Sequence, residues 1–156
     1  MRPAWIAPLL AAGVCACGSG GDDDRPPPPQ VKRAEIAVIR GWADALRAGR
    51  VSEASRYFAV PALVSNPAPV FRLLSRDAVR RFNRALPCGA ELVGTERGTG
   101  ALVIATFRLT ERPGPGSCGT GTGALARTAF LIRRGRIVQW LRVADPAAPP
   151  ADARES

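Results

Sequence analysis

Histidine is missing from all 156 residues, and lysine and tyrosine each occur once, at Lys32 and Tyr57. Each shortage closes off chemistry. Without an imidazole there is no base for a Ser-His or Cys-His nucleophile, so hydrolytic triads are excluded. Beyond residue 17 only Cys88 and Cys118 remain as soft ligands, which leaves a tetrahedral zinc site unfilled, and no metal is expected. Carboxylates are also few: 13 stand against 22 Lys and Arg, for a net charge of +9. The excess is almost entirely arginine, a bias that follows genome composition, although such a surface is drawn to anionic partners. No apolar run is long enough to span a bilayer as a helix, the best being Ala4 to Val14.

That run has a role of its own. Arg2 precedes it and small residues surround Cys15 and Cys17 after it, the order of a secretory signal. Val14-Cys15-Ala16-Cys17 resembles a bacterial lipobox, with an aliphatic residue three before the cysteine and a small one next to it. The resemblance implies a signal peptide over residues 1–16, cleavage before Cys17, and diacylglyceryl and palmitate on a residue that anchors the protein to the membrane. An ordinary secreted protein is the alternative. Gly18 to Gly21, the Asp22 to Asp24 run and Pro26 to Pro29 then form a flexible, charged and finally stiff tether over residues 17–30. The expected location is extracytoplasmic, lipid-anchored to the bacterial cell membrane.

One domain follows, over residues 31–144, and a proline- and alanine-rich tail without periodicity, read as disordered, takes residues 145–156. Ile36, Ile39, Ala43 and Leu46 recur at helical spacing with Trp42 beside them, and Gly49 stands where a C-terminal cap belongs. Ser52 begins a second short helix with Ala54, Tyr57 and Phe58 on its apolar side. The segment from Pro61 to Leu74 holds three prolines and reads as irregular or edge structure, with one short strand through Val70 to Leu73. Ser75 caps a third helix that Pro87 ends; Arg76, Arg80, Arg81 and Arg84 take its solvated face. Nothing aromatic is interleaved with them, and no helix-turn-helix or zinc-finger spacing occurs, so nucleic acid is not an expected partner.

Strands fill the rest. Ala90 to Arg97 is followed by ALVIATFRLTE, ALARTAFLIRR and RIVQWLRV, dense in β-branched and aromatic residues and turning at Gly98 to Gly100 and at Gly135. Helices first and a sheet last argue for an α+β fold with an antiparallel meander. In an oxidising compartment an isolated cysteine pair forms a disulfide, so Cys88 and Cys118 are expected to bond, stabilising the fold by roughly 3–4 kcal/mol. The glycine-rich segment Arg112 to Gly123 lacks the Gly-Lys-Ser/Thr ending of a phosphate loop and precedes a strand. It reads as a long hairpin loop, and no cofactor is called for.

The order of elements resembles the nuclear transport factor 2-like superfamily, including its SnoaL-like and ketosteroid-isomerase-like branches. Ile39, Trp42, Ala45, Leu46, Gly49, Ala54, Tyr57 and Phe58 carry the resemblance in the helical half, and Gly135, Ile137, Val138 and Trp140 at the end. It implies helices packed in a curved antiparallel sheet, a cystatin-like cone, with a pocket in its mouth and a homodimer through the sheet. Ketosteroid-isomerase chemistry needs an Asp base and an acidic donor pair, and no residue here takes those roles, so no catalytic residue is assigned. The favoured function is a non-catalytic module that binds a small apolar ligand or another protein. The alternatives are a SnoaL-like isomerase, cyclase or hydrolase, and an accessory subunit of an envelope complex. Leu102, Ile104, Thr106, Arg108 and Thr110 share one side of their strand, read as a ligand-facing wall or, equally, as one of a core face and a dimer interface, and Trp42, Tyr57, Arg108, Trp140 and Arg142 are the candidate pocket or interface residues.

Overall fold

The computed structural model describes residues 30–144. The expected signal peptide, Cys17, most of the tether and the tail lie outside the described residues. Helix α1 (Arg33–Arg47) buries Ile39, Trp42, Ala43, Ala45 and Leu46, the face that the sequence periodicity picks out. It ends in a Schellman motif: the Gly49 N–H donates to the Leu46 carbonyl and the Arg50 N–H to the Ala45 carbonyl, each at 2.9 Å. Gly49 has φ +73°, and a Cβ there would also press within 3.0 Å of Pro113, so glycine is required twice over.

Helix α2 (Val51–Arg56) is shorter than the sequence suggests. Tyr57 is its C-cap, and Phe58 already opens strand β1 (Phe58–Ser65). The stretch expected to be irregular is thus mostly strand, and an interior one, because β1 lies between β2 (Val70–Leu73) and β6 (Arg136–Val143). Pro61 is accommodated because the ladder slips there: between Phe58 paired with Ile137 and Leu63 paired with Gln139, β1 bulges and no amide is demanded of the proline. Helix α3 (Arg76–Ala85) is capped by the Ser75 hydroxyl, which accepts the Ala78 N–H at 3.1 Å.

Strands β3 (Gly89–Arg97), β4 (Val103–Thr110) and β5 (Leu125–Arg133) complete a curved sheet of order β2-β1-β6-β5-β4-β3. The expected antiparallel meander holds for β3 to β6, but the sheet is mixed, since β1 and β6 run parallel. The reason is topological. The last strand of the meander adds beside β1, and the long connection through β2 and α3 has already reversed the chain's direction.

Trp42 is the hub of the core. Its indole meets Phe58, Phe107, Phe130 and Trp140 edge-on, with ring centroids 5.6–6.4 Å away. Core, sheet and the Cys88–Cys118 disulfide all lie within residues 30–144. Among the described residues no helix is long and apolar enough to cross a membrane.

Candidate functional site

A cavity of about 200 Å³ opens at one end of the sheet, between the C-terminal half of α1 and the concave sheet face. Trp42 and Leu46 come from α1, Leu86 and Pro87 from the end of α3, and Cys88, Gly89 and Ala90 from the start of β3. The far wall is Phe107 and Leu109 of β4, Ala126 and Thr128 of β5, and Trp140 and Arg142 of β6, with Asn66 at the rim. Alternation along each strand places these side chains on one face.

The walls are held by polar contacts just outside them. Asn83 of α3 is fully buried; its side-chain oxygen accepts the Trp42 indole N–H at 2.8 Å, and its amide donates to the Val79 carbonyl at 2.9 Å. Arg112 is buried as well, and its guanidinium donates to the carbonyls of Leu86 (2.6 and 2.9 Å) and Arg84 (2.9 Å). Those are C-terminal carbonyls of α3 that the helix cannot satisfy itself. Burial pushes the Arg112 pKa down. The disulfide ties the α3–β3 corner to the β4–β5 loop. Within that loop the Glu111 carboxylate accepts the N–H groups of Cys118 (3.2 Å) and Gly119 (3.0 Å) and the hydroxyls of Ser117 and Thr122. The Cys118 and Gly119 amides hold its pKa below the usual carboxylate range.

Three of the sequence candidates come together here: Trp42, Trp140 and Arg142. The Arg142 guanidinium donates to the backbone carbonyls of Arg127 (2.7 Å) and Val143 (2.9 Å). Trp140 is 5 % exposed, and its indole N–H is buried with no hydrogen-bond partner among the described residues. The other two candidates lie elsewhere. Arg108 is exposed on the outer sheet face, because Val103, Ala105 and Phe107 are the buried side of β4. The face with Thr106, Arg108 and Thr110 is therefore not the cavity wall, and its polarity was the signal that it points outward. Tyr57 packs over Gly41 of α1, where an added Cβ would fall 2.3 Å from its hydroxyl, and lines a different, open concavity with Arg56 and Arg136. Asn83 and Arg112 were not foreseen: a single Asn on a helix and an Arg in a Gly/Pro loop carry no periodic signal.

The cavity is mainly apolar with a few polar groups. Its lining includes no carboxylate and no tyrosine, and its one cysteine is bonded. No group of three or more His, Cys, Asp or Glu side chains could hold a metal among the described residues.

No protein-family model and no curated protein matches the sequence. Solved structures do match in shape. A Sinorhizobium meliloti protein provisionally named a polyketide cyclase superposes with TM-score 0.55 at 17 % identity, over 72 % of this chain and 100 % of that one. A nuclear transport factor 2-like protein of unknown function from Cytophaga hutchinsonii gives TM-score 0.55 at 11 % identity, over 76 % and 94 %. A Kribbella flavida protein provisionally named a ketosteroid isomerase gives 0.52 at 15 %, over 81 % and 90 %. This chain has the nuclear transport factor 2-like fold.

Proposed function

We propose that this chain is an exported, lipid-anchored protein whose domain binds a small, mainly apolar molecule in the cavity at the end of the sheet and releases it unchanged. The observation that carries the reading is the cavity itself, walled by Trp42, Leu46, Phe107 and Trp140. At interior packing density, about 200 Å³ holds on the order of ten non-hydrogen atoms. A single ring or a short acyl chain fits.

The names of the fold relatives suggest proton transfer or cyclisation. Both need a base within hydrogen-bond reach of the reacting atom. The lining offers Asn66, Thr128 and Arg142 as its polar side chains besides Trp140, and none is a base at neutral pH. The lack of a base among these side chains supports binding without conversion. A docking role on an envelope complex is the second reading, favoured by Val70, Phe71 and Leu74, which expose large apolar side chains on and beside the edge strand β2.

The anchor is tested by growing the host with an alkyne-tagged fatty acid. The chain should carry the tag and the Cys17→Ala form should not; an untagged chain in the medium would refute the anchor and leave an ordinary secreted protein.

A further inference from the structure

We infer that the β5–β6 hairpin and the end of α2 form a docking surface for anionic phospholipid headgroups, setting the domain on the bilayer with its cavity mouth turned away. The inference rests on the anchored reading of Cys17, which brings a bilayer within reach.

Strand registers define two ends of the sheet. Gly89 opposite Thr110, Arg108 opposite Leu125 and Arg127 opposite Val143 mark the cavity end. Arg97 opposite Val103, Val103 opposite Phe130 and Arg133 opposite Arg136 mark the other. At that second end the Arg97 guanidinium holds the Glu35 carboxylate at 2.7 Å and the Gln30 carbonyl at 3.0 Å, so the chain toward Cys17 departs from there. Strands of eight residues span about 26 Å, which separates the tether exit from the cavity mouth by the length of the domain.

The same end is cationic. Arg56, Arg133, Arg134 and Arg136 are exposed, and none makes an ion pair among the described residues. Arg56, Arg134 and Arg136 line one concavity, in which the only carboxylate, Glu53, is already held by Arg50 at 2.6 Å. Planar guanidinium groups gathered in this way match phosphate oxygens.

The turn supplies an independent observation. Arg134 has φ 49° and Gly135 φ 70°, the left-handed pair of a two-residue hairpin turn whose first position favours Asn or Gly. An arginine stands where the backbone prefers another residue, and such local cost points to use of the side chain. Thirteen residues, 17–29, have a contour reach of at most about 40 Å. On the anchored reading, a reach of that order puts the bilayer within range of these arginines.

The test is co-sedimentation of the chain from Gly18 to Ser156 with vesicles, since core, sheet and disulfide are complete within that length. It should partition onto equimolar phosphatidylglycerol and phosphatidylcholine vesicles, but not onto phosphatidylcholine alone or in about 0.5 M salt. Each arginine removed should weaken partition about fivefold, so Arg56→Gln, Arg134→Asn and Arg136→Gln together cost on the order of 100-fold. Arg134→Asn alone should weaken partition while raising the thermal midpoint, which an unfolding defect cannot do. Arg81→Gln with Arg84→Gln removes two exposed charges at the cavity end and should leave partition within about twofold. A triple variant that partitions like the unaltered chain, or an Arg81/Arg84 pair that loses as much per charge, overturns the docking surface. Fatty-acid labelling keeps the two readings apart. A tagged Cys17 without partition refutes the docking surface and leaves the anchor; partition by a chain that is never tagged supports the surface and refutes the anchor.

Discussion

The Trp42 indole N–H donates to the Asn83 side-chain oxygen across 2.8 Å, and both side chains are closed to solvent. This bond joins α1 to α3 at the centre of the molecule and fixes the indole that forms a cavity wall. Asn83→Ala should cost about 2–4 kcal/mol, because it opens a void and strands a buried donor. Trp42→Phe combined with Asn83→Leu should lose less than the two single changes added together, since no unpaired polar atom is left. Urea unfolding of the four proteins decides; strict additivity would mean that the bond contributes nothing.

Acid should loosen the β4–β5 loop. The Cys118 and Gly119 amides on Glu111, and the Arg97 guanidinium on Glu35, hold both carboxyl pKa values below the usual range. A carboxyl whose pKa falls on folding stabilises the fold above its unfolded pKa, and that gain disappears as pH drops through the lowered value. The thermal midpoint should therefore be level from neutral pH to about 5 and decline below about 4. Glu111→Gln should flatten part of the decline; an unchanged profile would show that the loop bonds do not couple to folding.

Reduction should act on stability and on the cavity together. Opening the Cys88–Cys118 bridge removes a closure of 30 residues, for about 3–4 kcal/mol or roughly 10–15 °C in midpoint. Because Cys88 also lines the cavity, reduced protein should bind small apolar molecules more weakly. Calorimetry with and without reductant measures the first effect, and fluorescence the second.

Fluorescence is informative because the three tryptophans are Trp5, outside the described residues, and Trp42 and Trp140, both on the cavity wall. In the chain from Gly18, acetophenone, one ring with one acceptor, should quench emission saturably. Ala126→Phe, which fills the cavity from β5, should abolish the effect with the fold intact. Trp140→Phe, which trims one cavity wall, should weaken acetophenone and toluene alike. Unchanged binding of both probes would remove Trp140 from the site.

The helix faces, the meander of β3 to β6 and the disulfide were legible because each has a local signal: spacing of three and four, alternation, or an isolated cysteine pair. Strand β1 was hidden because Pro61 reads as a break, and only the bulge opposite β6 makes it tolerable. The parallel β1–β6 pairing joins residues 58–65 to 137–141, a separation that no local pattern encodes. Trp42, Trp140 and Arg142 line the cavity, whereas Arg108 lies on the outer sheet face, away from it, which leaves it only the interface role. Asn83 and Arg112 answer to distant partners, an indole on α1 and the carbonyls ending α3, so their roles exist only in the folded chain.

The most direct test of ligand binding is native mass spectrometry of the protein purified from its own host, beside its Ala126→Phe variant. The account predicts one bound species of on the order of ten non-hydrogen atoms on the unaltered protein and none on the variant. A protein that carries no adduct and takes up neither acetophenone nor toluene when they are supplied would contradict it.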